Sequence, residues 1–305
     1  MWFDTLDSTN DEARRRMNDI DNLSVLSAEN QTAGRGQRGN SWKSNAGENL
    51  MFSVVLKFRE QSLQAYDQFA VSEIAALSVV DFLSEYGIVT QIKWPNDIYA
   101  GTRKICGILV ENAVRGEWLA SSIVGIGLNV NQRNFDISLP NPTSMVLCSS
   151  PSSHSECIQS RHSVPIYVRH SEHTTVRHSE QSEESLPSYD THELLERFMD
   201  IFSGYCSRFL HINGGLAKLR RLYLAQLWRL GQPSRFLDYT TLPAGHLDGP
   251  VGIITSQTDK AVSQTPQPKE FTGTIRGISD IGQLMIELPD STTRTFGFKE
   301  IGYVL

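Results

Sequence analysis

The segment from about Cys148 to Tyr189 limits what this 305-residue chain can fold into more than any other part of it. It is rich in Ser, His and Glu, nearly lacks large apolar side chains, and repeats Arg-His-Ser at residues 161, 169 and 177. Five of the eight histidines lie there, so a metal-binding tract is one interpretation. A segment with so little to bury is more typical of a solvated, disordered insertion. The core must therefore come from the sequence on either side of it.

Composition and charge exclude several classes of protein. A net charge of −6 and a pI near 5.8 disfavour nonspecific nucleic-acid binding as the main activity. The four cysteines form no CxxC pair and have no zinc-type spacing, which indicates a reducing compartment and no structural metal: Cys106, Cys148, Cys157 and Cys206. The first residues resemble no signal peptide, and no apolar run reaches bilayer length. We expect a cytoplasmic protein that does not cross a membrane.

The first 147 residues predict strands mixed with helices. Thr9 followed by Glu12 fits a capping box, so a helix should begin near Asp7-Ser8-Thr9-Asn10. A core helix is predicted at about 66–86, ending at Gly87. Strands are predicted at about 23–28, 50–58, 88–94, 104–114 and 118–130. The last two flank Arg115-Gly116 and should form a hairpin.

The sequence after the low-complexity segment predicts two helices and then a small β structure. The helices, from Leu194 to Phe209 and from Leu216 to Leu230, are amphipathic and should pack as a pair. Five short β-like segments follow at 234–239, 271–277, 283–288, 293–298 and 301–305, and they suggest a small barrel. Residues 240–270 are rich in Pro, Gly, Thr and Gln and are predicted to form a long loop.

A glycine-rich loop, Gly34-Arg35-Gly36-Gln37-Arg38-Gly39-Asn40-Ser41-Trp42, is the first candidate binding element. Its arginines and backbone amides suit phosphate, and its tryptophan suits a nucleotide base. The same pattern is common in solvated nucleic-acid-binding tails, and neither a Walker loop nor a dinucleotide-binding fingerprint is present. The loop alone leaves both interpretations open.

Two further clusters carry polar residues at predicted strand ends. Asn96 and Asp97 suit phosphate-bound Mg²⁺ or an ordinary Asx turn. Lys104 begins a mostly apolar strand, where a cation indicates an anionic ligand or a lysine that snorkels at a sheet edge. The glycines of Gly125-Ile126-Gly127-Leu128-Asn129 leave room for a ligand or kink the sheet edge.

Together, five motifs resemble biotin protein ligases in order and spacing: Asp7-Ser8-Thr9-Asn10, Gln31-Thr32-Ala33-Gly34-Arg35-Gly36, Lys93-Trp94-Pro95-Asn96-Asp97, Arg103-Lys104-x-x-Gly107-Ile108-Leu109 and Gly125-Ile126-Gly127-x-Asn129. The resemblance is close over residues 1 to about 147 and looser at Phe296-Gly297-Phe298-Lys299-Glu300. It implies an α+β fold, with a mixed sheet flanked by helices like that of class II aminoacyl-tRNA synthetases and a small C-terminal Src-homology-like β-barrel. We expect a catalytic domain at 1–230, interrupted by the insertion at about 148–189. The barrel domain should span 231–305, with its long loop at about 240–270.

The resemblance implies an ATP-dependent ligase. Such an enzyme activates biotin to biotinyl-5′-AMP with ATP and Mg²⁺, and transfers the biotin to a lysine of a biotin carboxyl carrier domain. A lipoate protein ligase is the nearest alternative, and a nucleic-acid-binding adaptor is a more distant one. Regulatory members carry an N-terminal DNA-binding domain, whereas this sequence begins at the catalytic motif, so we expect no DNA binding. A homodimer is left open.

The resemblance also implies roles for particular residues. The catalytic residues would be Lys104, Arg35 and Arg38. Biotin would contact Ser8, Thr9, Asn10, Gln31, Arg35, Gly36, Gln37, Lys104 and Gly107. ATP and the adenylate would contact Arg35, Arg38, Trp42, Asn96, Asp97 and Asn129, with Asp97 also near Mg²⁺. Gln37 stands where some members carry a third arginine, so retention of the intermediate is expected to be weaker.

Overall fold

The computed structural model describes residues 1–149, 188–210, 214–240, 242 and 267–304, without the side chain of Arg38. Most of the predicted insertion, with its Arg-His-Ser repeats and Cys157, lies outside the described residues. So does most of the predicted loop at 240–270. The interpretations of these segments stay predictions.

A seven-stranded mixed sheet forms the first half of the structure. Its order is β1-β2-β3-β7-β6-β5-β4, with β1 and β2 parallel and the other pairs antiparallel. The strands are β1 (Trp2–Leu6), β2 (Val25–Gln31), β3 (Asn49–Lys57), β4 (Gln91–Lys93), β5 (Asp97–Ala100), β6 (Arg103–Arg115) and β7 (Trp118–Asn129). All residues of β3 from Asn49 to Leu56 are buried, so this strand lies in the interior of the sheet and is covered on both faces.

Helices cover both faces of this sheet. They are α1 (Thr9–Arg15), α2 (Phe69–Glu85), α3 (Met145–Cys148), α4 (Thr191–Phe209) and α5 (Gly215–Ala225). Val54 packs in the large core with α2, α4 and α5, whereas its neighbour Val55 packs in a smaller cluster with Ala13 of α1. Because successive side chains of a strand point to opposite faces, α1 lies on one face and α2 on the other.

None of the helices in the described ranges is both long enough and apolar enough to cross a bilayer.

A five-stranded antiparallel sheet forms the C-terminal part, in the order β11-β10-β9-β8-β12. Its strands are β8 (Pro233–Asp238), β9 (Lys269–Ile278), β10 (Leu284–Glu287), β11 (Thr293–Phe296) and β12 (Ile301–Tyr303). The turn between β9 and β10 docks on the first half. Trp94 donates its indole N–H to the carbonyl of Gly282 (2.9 Å), and Arg220 of α5 donates to the carbonyl of Ser279 (2.7 Å).

The structure confirms the predicted hairpin, since β6 and β7 pair around Arg115-Gly116, from Arg115 with Trp118 to Cys106 with Leu128. It also confirms the core helix that ends before Gly87, whose φ of +71° suits the residue after a helix. The capping box was wrong: the N-cap is Ser8, without a side-chain cap, and the carboxylate of Glu12 binds Arg15 and Arg16 instead.

The second helix of the predicted pair ends five residues early, at Ala225 instead of Leu230. The backbone after it pairs with the sheet: the amide of Ile92 donates to the carbonyl of Gln226, and the amide of Trp228 donates to the carbonyl of Ile92, both at 2.8 Å. The apolar residues Leu227 and Leu230 therefore bridge to Ile92 on β4 and to Ile275 on β9, and do not form a further helical turn.

The described residues on either side of 150–187 are tied together. Asn131 donates from Nδ2 to the carbonyl of Tyr189 (2.8 Å) and accepts the amide of Tyr189 on Oδ1 (2.9 Å). The hydroxyl oxygens of Ser149 and Tyr189 are 2.8 Å apart. Hydrogen bonds thus hold the two described ends of the insertion, at Ser149 and Tyr189, next to each other.

Replacing residues 150–187 by a short Gly-Ser linker is expected to change the free energy of unfolding by less than about 1 kcal/mol, or roughly 2–4 °C in melting temperature. The reason is that the contacts of Asn131, Ser149 and Tyr189 remain. Thermal unfolding followed by circular dichroism checks this. The same replacement combined with Asn131→Ala should have a lower melting temperature. Failure of the protein with the linker to fold would contradict the prediction.

Candidate active site

Three polar residues where α1 begins are buried against the sheet. Ser8, Thr9 and Asn10 are 2%, 4% and 3% exposed. Because β1 and β2 are parallel neighbours, the turn after β1 lies beside the end of β2. There the amide of Thr9 donates to Oε1 of Gln31 (2.8 Å), which satisfies one N–H of the first helical turn. The start of α1 and Gln31 together form one polar wall.

The side-chain amide of Asn10 is fixed from both ends. Ser53 Oγ on β3 lies 2.6 Å from its Oδ1, and Glu111 on β6 accepts a hydrogen bond from its Nδ2 at 2.8 Å. Gly125 on β7 leaves the space for this amide, since a Cβ there would lie 2.2 Å from Asn10 Oδ1. This glycine of the sequence motif therefore makes room for a polar side chain of the site.

The glycine-rich loop closes on itself beside α1. The amide of Gly36 donates to the carbonyl of Asn40 (2.7 Å), and the amide of Trp42 donates to the carbonyl of Gly34 (2.9 Å). The guanidinium of Arg35 donates to Asp11 (2.8 Å) and to Glu111 (2.9 Å). The loop arginine and the amide of Asn10 thus share the carboxylate of Glu111.

Trp42 lies flat over two glycines of the sheet. A Cβ at Gly127 would lie 2.5 Å from Trp42 Cε2, and one at Gly107 would lie 3.0 Å from Trp42 Cζ3. Lys104 Nζ is 5.7 Å from the centroid of the Trp42 ring, within the range of a cation–π contact. Larger residues at 107 or 127 would displace the ring.

Lys104 and Asp97 form the charged centre of the site. Lys104 Nζ lies 2.7 Å from Asp97 Oδ1, and the two side chains are 32% and 22% exposed. Asn96 Nδ2 donates to the carbonyl of Ile108 (2.7 Å), and the amide of Ile108 donates to the carbonyl of Asn96 (2.9 Å). Asn96 therefore fixes the turn before β5 and so the position of Asp97.

These elements surround one cavity of about 220 Å³. Twelve of the fourteen residues predicted for the site line it: Ser8, Thr9, Asn10, Gln31, Arg35, Gly36, Gln37, Trp42, Asn96, Asp97, Lys104 and Gly107. Arg38 lies in the turn Gln37–Gly39, with its side chain outside the described residues. Asn129 does not line the cavity: its amide donates to the carbonyl of Thr143 (2.8 Å) and holds the chain after β7.

Residues 2–129 match the family model described as the biotin/lipoate A/B protein ligase family. The matched residues include the whole first sheet and helices α1 and α2. Among curated proteins, the chain is 37% identical over 138 residues to the bifunctional ligase/repressor BirA of Bacillus subtilis, and 36% identical over 132 residues to a biotin--[acetyl-CoA-carboxylase] ligase of Mycobacterium tuberculosis. The matches cover 45% and 42% of this chain, and 42% and 46% of those proteins. The chain thus spans less than half the length of these two curated relatives.

Solved structures resemble the whole described fold. A biotin protein ligase from Aquifex aeolicus in complex with biotin and ATP is 20% identical, with 99% of this chain and 97% of that chain covered and a TM-score of 0.65. A biotin protein ligase from Leishmania major in complex with biotinyl-5-AMP is 16% identical, with 97% of each chain covered and a TM-score of 0.52. At these identities the likeness shows that the fold is shared.

Several residues that line the cavity or support its wall were given no role from the sequence. One set comes from the second sheet, where nothing local indicates a site: Leu237, Tyr239, Ile301, Gly302 and Tyr303. Lys93, on β4, also lines the cavity; it belongs to a quoted motif, but no role was assigned to it. Ser53 and Glu111 stand behind the wall, where they orient Asn10 and Arg35. A buried serine within an apolar strand and a carboxylate in the sheet hairpin were the available signals.

The described residues offer one cavity-lining carboxylate, Asp97, and contain no cluster of three or more His, Cys, Asp or Glu side chains that could hold a metal ion. Mg²⁺ is usually bound by one or two carboxylates together with substrate phosphates and water. The donor set therefore fits a cation that enters with a phosphate ligand and contacts Asp97, and does not fit an all-protein metal cage.

Gly125→Ala is expected to displace the amide of Asn10, which Ser53 and Glu111 otherwise hold in place. Disturbing such a buried network should lower the free energy of unfolding by about 1–3 kcal/mol. Urea denaturation measures the change.

Gly204→Ala is the matched control, since Gly204 lies in α4 with nothing within 4 Å of an added Cβ. The control should be neutral or stabilised by up to about 1 kcal/mol. Equal stabilities for the two variants would show that the close approach at Gly125 is unimportant.

Proposed function

We propose that this chain is an ATP-dependent biotin protein ligase, which forms biotinyl-5′-AMP and transfers biotin to a lysine of a biotin carboxyl carrier domain. The observation that supports this most is the single cavity that joins a buried polar wall, Ser8 to Asn10 with Gln31, to the Lys104–Asp97 pair. The wall offers hydrogen bonds to a neutral polar ring, and the lysine offers a cation to the acid and to phosphate.

The polar wall favours biotin over lipoate, the other substrate class in the family's description. The ureido group of biotin has two N–H donors and a carbonyl acceptor, whereas the dithiolane of lipoate has no comparable hydrogen-bonding groups. Buried hydroxyl and amide groups that meet an apolar ring would be left unpaired, at a cost of about 1–3 kcal/mol each. Ser8, Thr9 and Gln31 therefore select for the ureido ring.

In the first half-reaction, an oxygen of the biotin carboxylate attacks the α-phosphorus of ATP, and the bond to the β-phosphate oxygen breaks. The two reactants are both anions, so their approach must be stabilised by positive charge. Lys104 bridges the carboxylate and the α-phosphate, and Arg35 swings from Asp11 and Glu111 toward the phosphate. We assign Arg38 to the phosphate, Trp42 to the adenine and Asn129 to the adenylate on the resemblance alone.

Mg²⁺ bound to the ATP phosphates would neutralise part of their charge, and Asp97 is the residue that would hold it. Asp97 also positions Lys104 through their 2.7 Å contact. In the second half-reaction the carrier lysine attacks the mixed anhydride and AMP leaves, so no protein nucleophile is needed. The loop Gly34–Trp42 limits access of water to the anhydride.

We also propose the division into a catalytic domain at 1–230 and a second domain at 231–305. The first would be of the class II aminoacyl-tRNA synthetase type, and the second would be a Src-homology-like barrel. The strand order β11-β10-β9-β8-β12 and the bulge between Met285 and Ile286 support the barrel, because bulges let small sheets curl.

The test is to incubate the protein with ATP, Mg²⁺ and a biotin carboxyl carrier domain, offering biotin and lipoate at equal concentration. Mass spectrometry should find the carrier domain heavier by one biotinyl group, attached to its acceptor lysine. A lipoyl adduct alone would support the lipoate ligase instead. If no adduct forms but the protein binds RNA or DNA in a salt-sensitive way, the adaptor hypothesis replaces the ligase.

A further inference from the structure

Lys93 stands in an aromatic box at the edge of the cavity. Its Nζ lies 4.7 Å from the ring centroid of Tyr99, 5.2 Å from that of Tyr303 and 6.0 Å from that of Trp228. Nζ also donates a hydrogen bond to the hydroxyl of Tyr99 (2.9 Å). Tyr99 belongs to β5, Tyr303 to β12 and Trp228 to the connection between α5 and β8, so three parts of the fold build the box.

No carboxylate balances this ammonium within 4.0 Å in the part of the chain that the structure describes. The facing acid is Asp97, whose Oδ1 lies 2.7 Å from Lys104 Nζ. Burial lowers the pKa of Lys93 to about 8, so the group is still mostly cationic at neutral pH. Buried cations normally meet an anion, and ring faces replace it only in part, at about 0.5–2 kcal/mol for each contact.

The sheet places Lys93 in line with the charged centre. Gly127 on β7 pairs with Gly107 on β6, Gly107 with Asp97 on β5, and Asp97 with Lys93 on β4. With about 4.8 Å between strands, Lys93 lies roughly 14 Å across the sheet from Gly127. Trp42 covers the Gly127 end of this row, so Lys93 is on the far side of Asp97 from the tryptophan.

The proposed reaction requires a binding site for two more phosphates in this direction. Lys104 is occupied by the biotin carboxylate and the α-phosphate, and the β- and γ-phosphates must extend beyond it. The next cation along the row is Lys93, which lines the same cavity. When the bond between the α-phosphorus and the bridging oxygen breaks, its electron pair stays on that oxygen, and the pyrophosphate gains negative charge.

We propose that Lys93 forms the subsite for the two outer phosphates of the nucleotide and holds the pyrophosphate as it leaves. This inference rests on the proposed function. Lys93 donates hydrogen bonds to phosphate oxygens and transfers no proton. The aromatic box positions the ammonium while leaving it without a competing carboxylate, and Tyr303 makes the C-terminal sheet part of the subsite.

The test is Lys93→Met, which keeps the length of the side chain and removes its charge, with Lys218→Met on the exposed face of α5 as the control. Pyrophosphate exchange into ATP is measured against pyrophosphate concentration. The KM for pyrophosphate should rise at least tenfold in Lys93→Met and stay within twofold of wild type in the control. Biotin affinity and transfer from preformed biotinyl-5′-AMP to a carrier domain should be unchanged, and the variant should remain folded at the assay temperature.

An unchanged KM for pyrophosphate in folded Lys93→Met would overturn the inference. So would a matching loss of biotin affinity and thermal stability, because that pattern marks a structural lysine. If Lys93→Met does not fold, Lys93→Gln takes its place.

If the wild type shows no exchange, the proposed function fails separately, and calorimetry with inorganic pyrophosphate then decides on the subsite. Binding that is lost in Lys93→Met supports the subsite, and absent or equal binding overturns it.

Discussion

Lys104→Ala is expected to lower the rate of biotin-dependent pyrophosphate exchange by about 10²- to 10³-fold, the usual effect of removing one group that stabilises developing charge. Lys104 lies between Asp97 and Trp42 on the wall of the cavity. The proposed reaction brings the biotin carboxylate and the α-phosphate together there. Loss of Lys104 leaves two anions to approach each other without the nearest cation. The exchange rate at saturating biotin and ATP is the measurement.

Lys218→Ala is the control, because Lys218 is an exposed lysine of α5 and lies outside the cavity wall. It should exchange at the wild-type rate. Lys104→Ala should fold with near-native stability, since its side chain is partly exposed. An exchange rate within threefold of wild type for folded Lys104→Ala would remove Lys104 from the mechanism.

Arg220→Met is expected to reduce the free energy of unfolding by about 3–5 kcal/mol, the range for breaking a buried ion pair. Arg220 binds the carboxylate of Glu73, which is 1% exposed, and donates to the carbonyl of Ser279 (2.7 Å). The substitution leaves a buried carboxylate without its partner and frees the turn that docks the second sheet. Urea denaturation at pH 7 measures the loss.

The double variant Glu73→Gln with Arg220→Met should recover much of that loss, because it removes both charges.

The loss of stability in Arg220→Met should also depend on pH. Burial raises the pKa of Glu73 from 4.5 to about 7, although Arg220 lowers it. Without Arg220, this carboxyl stays protonated in the folded state up to a higher pH. Above pH 4.5 the folded state of the variant therefore binds more protons than its unfolded state. The loss of unfolding free energy in Arg220→Met, relative to the wild type, should therefore be larger at pH 8 than at pH 5. A loss of unfolding free energy that does not change with pH, or that the double variant retains in full, would show that the unpaired carboxylate of Glu73 is not its cause.

The first sheet was largely predictable because its signals are local. Strand periodicity, the glycine after α2 and the short Arg115-Gly116 connection each specify structure within a few residues. The five β segments of the second sheet were also placed correctly, although the finer barrel topology stays a prediction. Errors arose where distant backbone competed with a local pattern, as at 226–230, which bridges to β4 and to β9.

The site was predictable in its motifs but not in its supporting contacts. The glycines at 125 and 127 were expected either to leave space for a ligand or to kink the sheet edge, and the space beside them is taken by the side chains of Asn10 and Trp42. The box around Lys93 includes Tyr303, which is 210 residues away in sequence (303 minus 93), and no local pattern indicates such a contact. Long-range packing, and not residue type, decides these positions.

The most direct test of the central claim is exchange of labelled pyrophosphate into ATP by the wild-type protein, with biotin, with lipoate and with neither acid. We expect exchange that requires biotin, because the proposed function assigns the polar wall of Ser8, Thr9 and Gln31 to biotin and Lys104 to its carboxylate, and all four residues line one cavity. Exchange with lipoate but not with biotin, or none with either acid from folded protein, would contradict the central claim.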